Sequence, residues 1–268
     1  MDRKRENKMS RFGCIRDKFD DRDYLMRAYL PLIKLPKKID WAPKMSPVRD
    51  QGEEGVCVGF ATATGMKEYQ ELLDYQKLVI LSPRFLYSEC KKIDDMPELE
   101  GTTIRAAMQA LENKGVCREN YWPYQSHQKN KAKPGAAKDA KRFCIITYAR
   151  ILNLNELRMS LATKGPAVLG IKVFKGMLKT KSGIVPLPKK GERSLGGHAI
   201  CAVGYDDGKG LVKFKNSWSN KWGEKGYGYL AYEYIQRYMM DAWSSVDIED
   251  PNPLTLASVL SYRKKVLG

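Results

Sequence analysis

The sequence predicts an α+β fold, a helical half followed by an antiparallel β half. The first observation is helical spacing of apolar residues from Cys57 to about Gln76: Phe60 and Ala61, Met66, Tyr69, Leu72 and Leu73. The second is two further helix starts, in "LSPRFLYSEC" and "GTTIRAAMQALENKG". The third is a change of character after about residue 145, where short apolar runs separated by Gly, Pro, Asp and Lys replace the helical pattern. With 268 residues, 43% of them hydrophobic, the chain can supply a real core without a covalent staple.

Taken in order, residues 1 to 35 are charged and lightly apolar, with one short helical prospect in "DDRDYLMRAYL" that Pro31 ends. They read as an N-terminal extension. "LPKKIDWAPKMSPVRDQG" follows as extended chain and loops. The first long helix starts at Val56 or Cys57. Ser82 with Pro83 behind it is an N-cap with proline at the first helical position, and Thr102 or Thr103 caps the next helix, with Gly115 just past its end. The Lys/Ala/Gly segment "KNKAKPGAAKDAKR" reads as a surface loop joining the halves. Strands are then expected in "AVLGIKVF", "HAICAVGYDD", "LVKFKNSW" and "GYGYLAYEYI". The resulting organisation is an extension over 1–35, a helical lobe over 36–145, a β lobe over 146–240 and a tail over 241–268.

Composition narrows the function classes. No apolar run has signal-peptide or membrane-spanning length, so the expectation is a protein made without classical secretion and without membrane insertion. The six cysteines are widely spaced with no C-x-x-C pair, which points to thiols in the cytoplasm or another reducing compartment and leaves non-classical delivery open. The two histidines, His127 and His198, lie in no metal-binding pattern, so neither a metal nor another cofactor is expected. The formal charge of +16 is spread along the chain without a nucleic-acid-binding motif, so no nucleic-acid partner is expected and a solvated basic surface is favoured over an acidic partner or substrate.

Chemistry enters through one hairpin. "HAICAVGY" and "LVKFKNSW" are joined by "DDGKG". Pairing Tyr205 with Leu211 sets Ile200 opposite Asn216 and His198 opposite Trp218, and period-two alternation puts all four on one face. An imidazole, a carboxamide and an indole therefore cluster. An amide oxygen can hold one ring nitrogen and turn the other toward a cysteine, while the indole excludes water. Cys57, at the first turn of a helix after "PVRDQGEEG", would feel the positive end of the helix dipole and free backbone N–H groups, both of which favour thiolate.

At these residues the chain resembles the papain-like cysteine peptidases. "LPKKIDW", "PVRDQGEEGVCVGFA", "LSPRFLYSEC", "GTTIRAAMQALENKGVCRENYWPY", "KGPAVLGIKVF", "GGHAICAVGYDD" and "FKNSWSNKWGEKGYGYL" occur in family order over about residues 35 to 235. The resemblance implies a two-lobed fold, the second lobe an antiparallel barrel-like sheet, with the cleft between the lobes. It makes Cys57 the nucleophile, His198 the general acid/base, Asn216 its orienting residue and Gln51 the side-chain donor of the oxyanion hole. Trp218 would shield the His198/Asn216 pair and Trp222 would lie near the leaving-group side. Gly101 would line the substrate groove. Gly170 and Ala199 are small at the positions of the second specificity pocket, which implies a bulky apolar residue just before the cleavage-site residue.

The departures are specific. Glu54 stands where the family has a cysteine three before the nucleophile, so the family disulfide is lost and Cys90 is left as a thiol. Val58 replaces a Trp or Tyr. About 35 residues stand in place of a long prodomain, and they are expected to drape over the cleft. In style the chain looks closer to prokaryotic or viral members than to lysosomal cathepsins. The implied activity is hydrolysis of polypeptides through a thioester on Cys57. An acyl transferase using the same intermediate, or a silent binding module, are the alternatives that the sequence leaves open.

Overall fold

The computed structural model describes residues 11–246 apart from 32, 128 and 129; the first ten residues of the extension and residues 247–268 of the tail lie outside the described residues. Among the described residues there are ten strands: β1 (Cys14–Ile15), β2 (Lys38–Asp40), β3 (Thr102–Thr103), β4 (Thr147–Arg150), β5 (Ala167–Val173), β6 (Ile184–Val185), β7 (Gly196–Asp206), β8 (Leu211–Lys215), β9 (Tyr227–Ala231) and β10 (Met239–Val246). Eight form one sheet in the order β4-β10-β5-β7-β8-β9-β6, with β2 paired to β7 outside that path. The class is α+β as expected. The sheet, however, is mixed rather than purely antiparallel, because β6 runs parallel to β9, and its strand order is an open path rather than a closed barrel. No helix among the described residues is long and apolar enough to cross a membrane.

The first lobe is built on one continuous helical run: a turn at Cys57–Gly59, a π-helical stretch at Phe60–Lys67 and an α-helix at Glu68–Tyr75. In the widened stretch the Glu68 N–H bonds back to Ala63 O. The Thr64 carbonyl then accepts from Lys215 Nζ at 2.7 Å and Ser46 Oγ at 3.1 Å. Gly65 permits the fit, since a Cβ there would lie 2.5 Å from Cys201 Cβ on β7. The two caps behave as their chemistry dictates: Ser82 Oγ accepts the Phe85 N–H and Thr103 Oγ1 the Ala106 N–H, with Gly115 at φ 74° past the end of Ile104–Asn113.

Two apolar clusters form the core, one under the helices and one on the far side of the sheet. Trp243, on β10, is completely buried. Fully burying such a side chain is worth about 2 to 3 kcal/mol, so the end of the chain that the sequence assigned to a tail contributes, over Met239–Val246, a central strand between β4 and β5. "GYGYLAYEYI" divides: β9 ends at Ala231 and Tyr232–Tyr238 is a helix that buries Tyr234 and Ile235. "DDRDYLMRAYL" yields only one 3-10 turn, Met26–Ala28.

Candidate active site

The hairpin register is the first determinant of the site. Tyr205 pairs with Val212, not Leu211, because the turn is one residue tighter than the loop read from sequence. A bulge between Ala202 and Gly204 then absorbs one residue, so Ala202 faces Phe214 and Cys201 faces Lys215. The register that reaches the site is therefore the one that sets Ile200 against Asn216. β8 itself stops at Lys215, and Asn216 and Trp218 lie just beyond it.

His198 Nε2 lies 2.8 Å from Asn216 Oδ1, and Trp218 stacks on the imidazole at 4.6 Å between centroids. Nδ1 has no hydrogen-bond partner among the described residues and is the ring nitrogen left for other work. The Ala199 N–H, next along β7, reaches Cys57 Sγ at 3.4 Å and so links the thiol to the histidine's strand. The buried Lys215 ammonium, bonded to Thr64 O and Ser46 Oγ, ties the strand end before Asn216 to the helix behind Cys57. Burial lowers its pKa to about 8, against the attraction of Glu68.

Gln51 is held from several sides. Its N–H bonds Ser217 O, its Oε1 accepts from Ser217 Oγ at 2.5 Å, and its carbonyl accepts from Tyr124 Oη at 2.6 Å. Its Nε2 donates to Glu54 O at 2.8 Å. Glu54, where a family disulfide is missing, instead forms a two-pronged ion pair with Arg84 and accepts the His127 N–H. Burial works against the Glu54 charge, but the Arg84 bonds hold its carboxyl below the ordinary range. All six cysteines, Cys90 included, are free thiols. Sequence reasoning noted the lost disulfide but not Arg84, since nothing in the chain marks a partner 30 residues away. Arg84→Met should lower stability by about 3 kcal/mol, because it leaves a mostly buried carboxylate without its counter-ion; thermal unfolding beside Glu54→Gln/Arg84→Met measures this, and an unchanged melting temperature in the single variant would defeat it.

Cys57, His198 and Gln51 are all fully buried, because residues of the N-terminal extension lie on them. The Gly13 N–H points at the Cys57 thiol, and Gly13 O accepts from Thr102 N at 2.9 Å. Gly13 also bridges Gly197, and β1 pairs in parallel with β3. Gln51 Nε2 donates to Arg11 O at 3.0 Å, while the Phe12 ring sits edge-on to His198 and Trp218. The thiol and Gln51 therefore grip different peptide groups of this strap, Gly13 N–H and Arg11 O. Beyond the cleft the strap is fastened by Asp17 N–H to Asp241 Oδ2 at 2.8 Å, Trp243 Nε1 to Asp17 Oδ2 at 2.9 Å and an Arg105–Asp23 ion pair.

The strap defines the environment of the pair. Burial pushes the Cys57 thiol up to about 11, opposed by N–H groups of Ala199 and Gly13; burial also lowers His198 to about 4, opposed by Asn216. Beneath the strap both groups are neutral. Of the other expected residues, Gly101 lies against the strap backbone, where a Cβ would fall 2.5 Å from Gly13 O. A Cβ on Gly170 would meet Cys14 Sγ at 3.0 Å, so the Cys14 side chain packs against Gly170. Trp222 packs edge-on against Trp218 and donates to Met177 O at 3.0 Å.

Residues 35–246 match the description of the papain family cysteine protease. The chain is 30% identical over 275 residues to a peptidase C1-like protein of Acanthamoeba polyphaga mimivirus, spanning 90% of this chain and 88% of that protein. It is 32% identical over 218 residues to chymopapain of Carica papaya and 30% identical over 210 residues to procathepsin L of Mus musculus, and it spans 58% and 60% of their respective lengths. Among solved structures it is similar to xylellain, a cysteine protease from Xylella fastidiosa, with a TM-score of 0.80, 31% identity and coverage of 91% of this chain and 98% of that one. The proform of digestive procathepsin L 3 from Tenebrio molitor, at 20% identity and a TM-score of 0.71, shares the fold.

Proposed function

The chain belongs to the papain family of cysteine proteases, and from that premise we propose that it hydrolyses peptide bonds through a thioester on Cys57. The observation that carries this is the coupling of His198 Nε2 to Asn216 Oδ1, which leaves Nδ1 without a hydrogen-bond partner among the described residues, on the strand whose Ala199 N–H contacts the Cys57 thiol. Once the cleft is open, the thiol gives its proton to His198 and the sulfur attacks the substrate carbonyl carbon. The developing oxyanion receives the Gln51 Nε2 proton that the Arg11 carbonyl occupies in the closed state, together with the Cys57 N–H. His198 returns the proton to the leaving amine, and then accepts one from the water that splits the thioester and regenerates the thiol.

The strap is an inhibitory segment in this reading. Its Arg11 carbonyl fills the place of the oxyanion, and its Gly13 N–H meets the thiol where a carbonyl carbon would be needed. Titration of Cys57 with an epoxide-type thiol reagent, mapped by mass spectrometry and paired with turnover of a fluorogenic peptide, tests the assignment. Label on Cys57 that tracks turnover supports it; turnover that survives full labelling of Cys57 overturns it. Gln51→Ala should lower kcat by about 100-fold with little change in KM, the usual effect of losing one oxyanion donor, measured by steady-state kinetics.

A further inference from the structure

We infer that the excursion between β5 and β7 is a docking face for acidic polypeptide, lying on the Trp218/Trp222 side of the cleft. The inference rests on the peptidase reading above and names a substrate class for it.

The chain leaves β5 at Val173 and returns to β7 at Gly196, and these two residues are themselves paired, two positions before His198. Everything between them therefore springs from beside the catalytic histidine. Leu195 N–H bonds Val173 O at 2.8 Å and closes the neck of the excursion. Its body is fastened to the site by Trp222 Nε1 on Met177 O, and Trp222 in turn abuts Trp218, which lies on His198. In the closed state this is the side that holds the Phe12 ring, so it is within reach of a bound chain.

The excursion is strongly cationic. Lys175, Lys179, Lys181, Lys189, Lys190 and Arg193 are all exposed. The one acid between Val173 and Gly196 is Glu192. Its carboxylate accepts the backbone N–H groups of Lys175 at 3.1 Å and Lys189 at 3.0 Å, so it is engaged in folding the two arms together. Six cations against one engaged carboxylate beside an open-ended cleft make a local positive field that attracts a polyanion and repels basic chains. The uneven placement also gives part of the +16 net charge a location and a use. A polypeptide is favoured over a nucleic acid because the face adjoins a cleft whose donors, Gln51 Nε2 and Thr102 N, already bind peptide carbonyls.

The test is binding of labelled peptides, by fluorescence anisotropy, to the full-length protein carrying Cys57→Ala, to prevent cleavage, and Gly13→Ala, to free the cleft. Three peptides share one neutral core: one with an Asp/Glu block downstream of the scissile bond, one with the same block upstream, and one fully neutral. The downstream peptide should bind about tenfold more tightly than either of the others at low salt, a gap that closes as salt screens the field. Charge reversal by Lys179→Glu, Lys181→Glu, Lys189→Glu and Lys190→Glu together should abolish the gap; all four side chains are exposed and lie outside the catalytic machinery. Equal binding of the downstream and neutral peptides, equal gain from the upstream block, or a gap that survives charge reversal would each overturn the inference. So would a charge-matched RNA oligonucleotide that binds far more tightly than the acidic peptide and loses that binding on charge reversal. Turnover of the neutral peptide by the Gly13→Ala protein with Cys57 intact is read separately: its absence beside an intact binding gap would count against the peptidase reading and not against the docking face.

Discussion

Gly13→Ala in the full-length protein is expected to raise peptide turnover, and the rate of Cys57 alkylation, by about two orders of magnitude at neutral pH. A Cβ on Gly13 would lie 1.8 Å from Gly55 O, 2.4 Å from Gly55 C and 2.7 Å from Gly55 Cα. These are backbone atoms of the loop that leads into Cys57, so the body of the enzyme cannot yield without disturbing its own nucleophile. The strap must yield instead. Overpacking of a close contact costs about 1 to 3 kcal/mol, and a cost at the upper end shifts a closed-to-open equilibrium by about 100-fold. The remaining fastenings, of Asp17 to Asp241 and of Asp23 to Arg105, hold the strap further along its length and would keep it attached while its tip leaves the cleft.

The same substitution should move the pH dependence of alkylation. In the closed state burial holds the thiol up near 11 and His198 down near 4, so the neutral pair is favoured and thiolate accumulates only at alkaline pH. Removing the strap returns water to both groups, lowers the thiol and raises the imidazole. The alkylation rate of Gly13→Ala should therefore rise at a pH several units lower than that of the unaltered protein. Identical rates and identical pH profiles for the two proteins would mean that the strap does not control access.

What the sequence revealed was local or periodic. Ser82, Pro83, Thr103 and Gly115 each announced a helix end through chemistry contained within four residues. The histidine, carboxamide and indole could be assembled because one hairpin carries all three, although the predicted Tyr205–Leu211 pair was displaced by one residue. The bulge between Ala202 and Gly204 restored the register, and no residue of the strand advertises that bulge. Long-range partners were beyond reach for the same reason: Glu54 with Arg84, and Lys215 with Thr64, are joined by folding and not by spacing. The extension was expected over the cleft, but which residues would touch Cys57 depended on Gly13 fitting between Gly55 and Gly197, a steric condition that only three-dimensional packing sets. β10 was missed because "MMDAWSSV" follows directly on a helix with no turn residue between them.

Loss of His198 should have the largest effect of any substitution that leaves the nucleophile in place. In the Gly13→Ala background, His198→Ala is expected to lower kcat/KM by about three to four orders of magnitude, the range associated with removal of a general acid/base. Three separate duties disappear together. In the proposed mechanism the imidazole accepts the thiol proton, protonates the leaving amine and draws a proton from the hydrolytic water, whereas among the described residues the hydrogen-bond partners of the Cys57 thiol are backbone N–H groups and its titratable neighbour Cys14 is itself a thiol that burial pushes up. The N–H groups of Ala199, Val58 and Cys57 and the helix start behind Cys57 survive the substitution, so some thiolate stabilisation remains. Alkylation should consequently fall less than turnover, and its pH profile should shift toward alkaline values because the imidazolium that stabilises the thiolate is gone. His198→Gln separates chemistry from packing, since it refills most of the space beneath Trp218 without restoring a base near neutrality. If His198→Gln keeps turnover within tenfold of the Gly13→Ala parent, the proton transfers run through another group and the assignment of His198 fails. If turnover collapses in both variants while alkylation persists with an alkaline-shifted profile, the thiol and imidazole act as one unit held by Asn216.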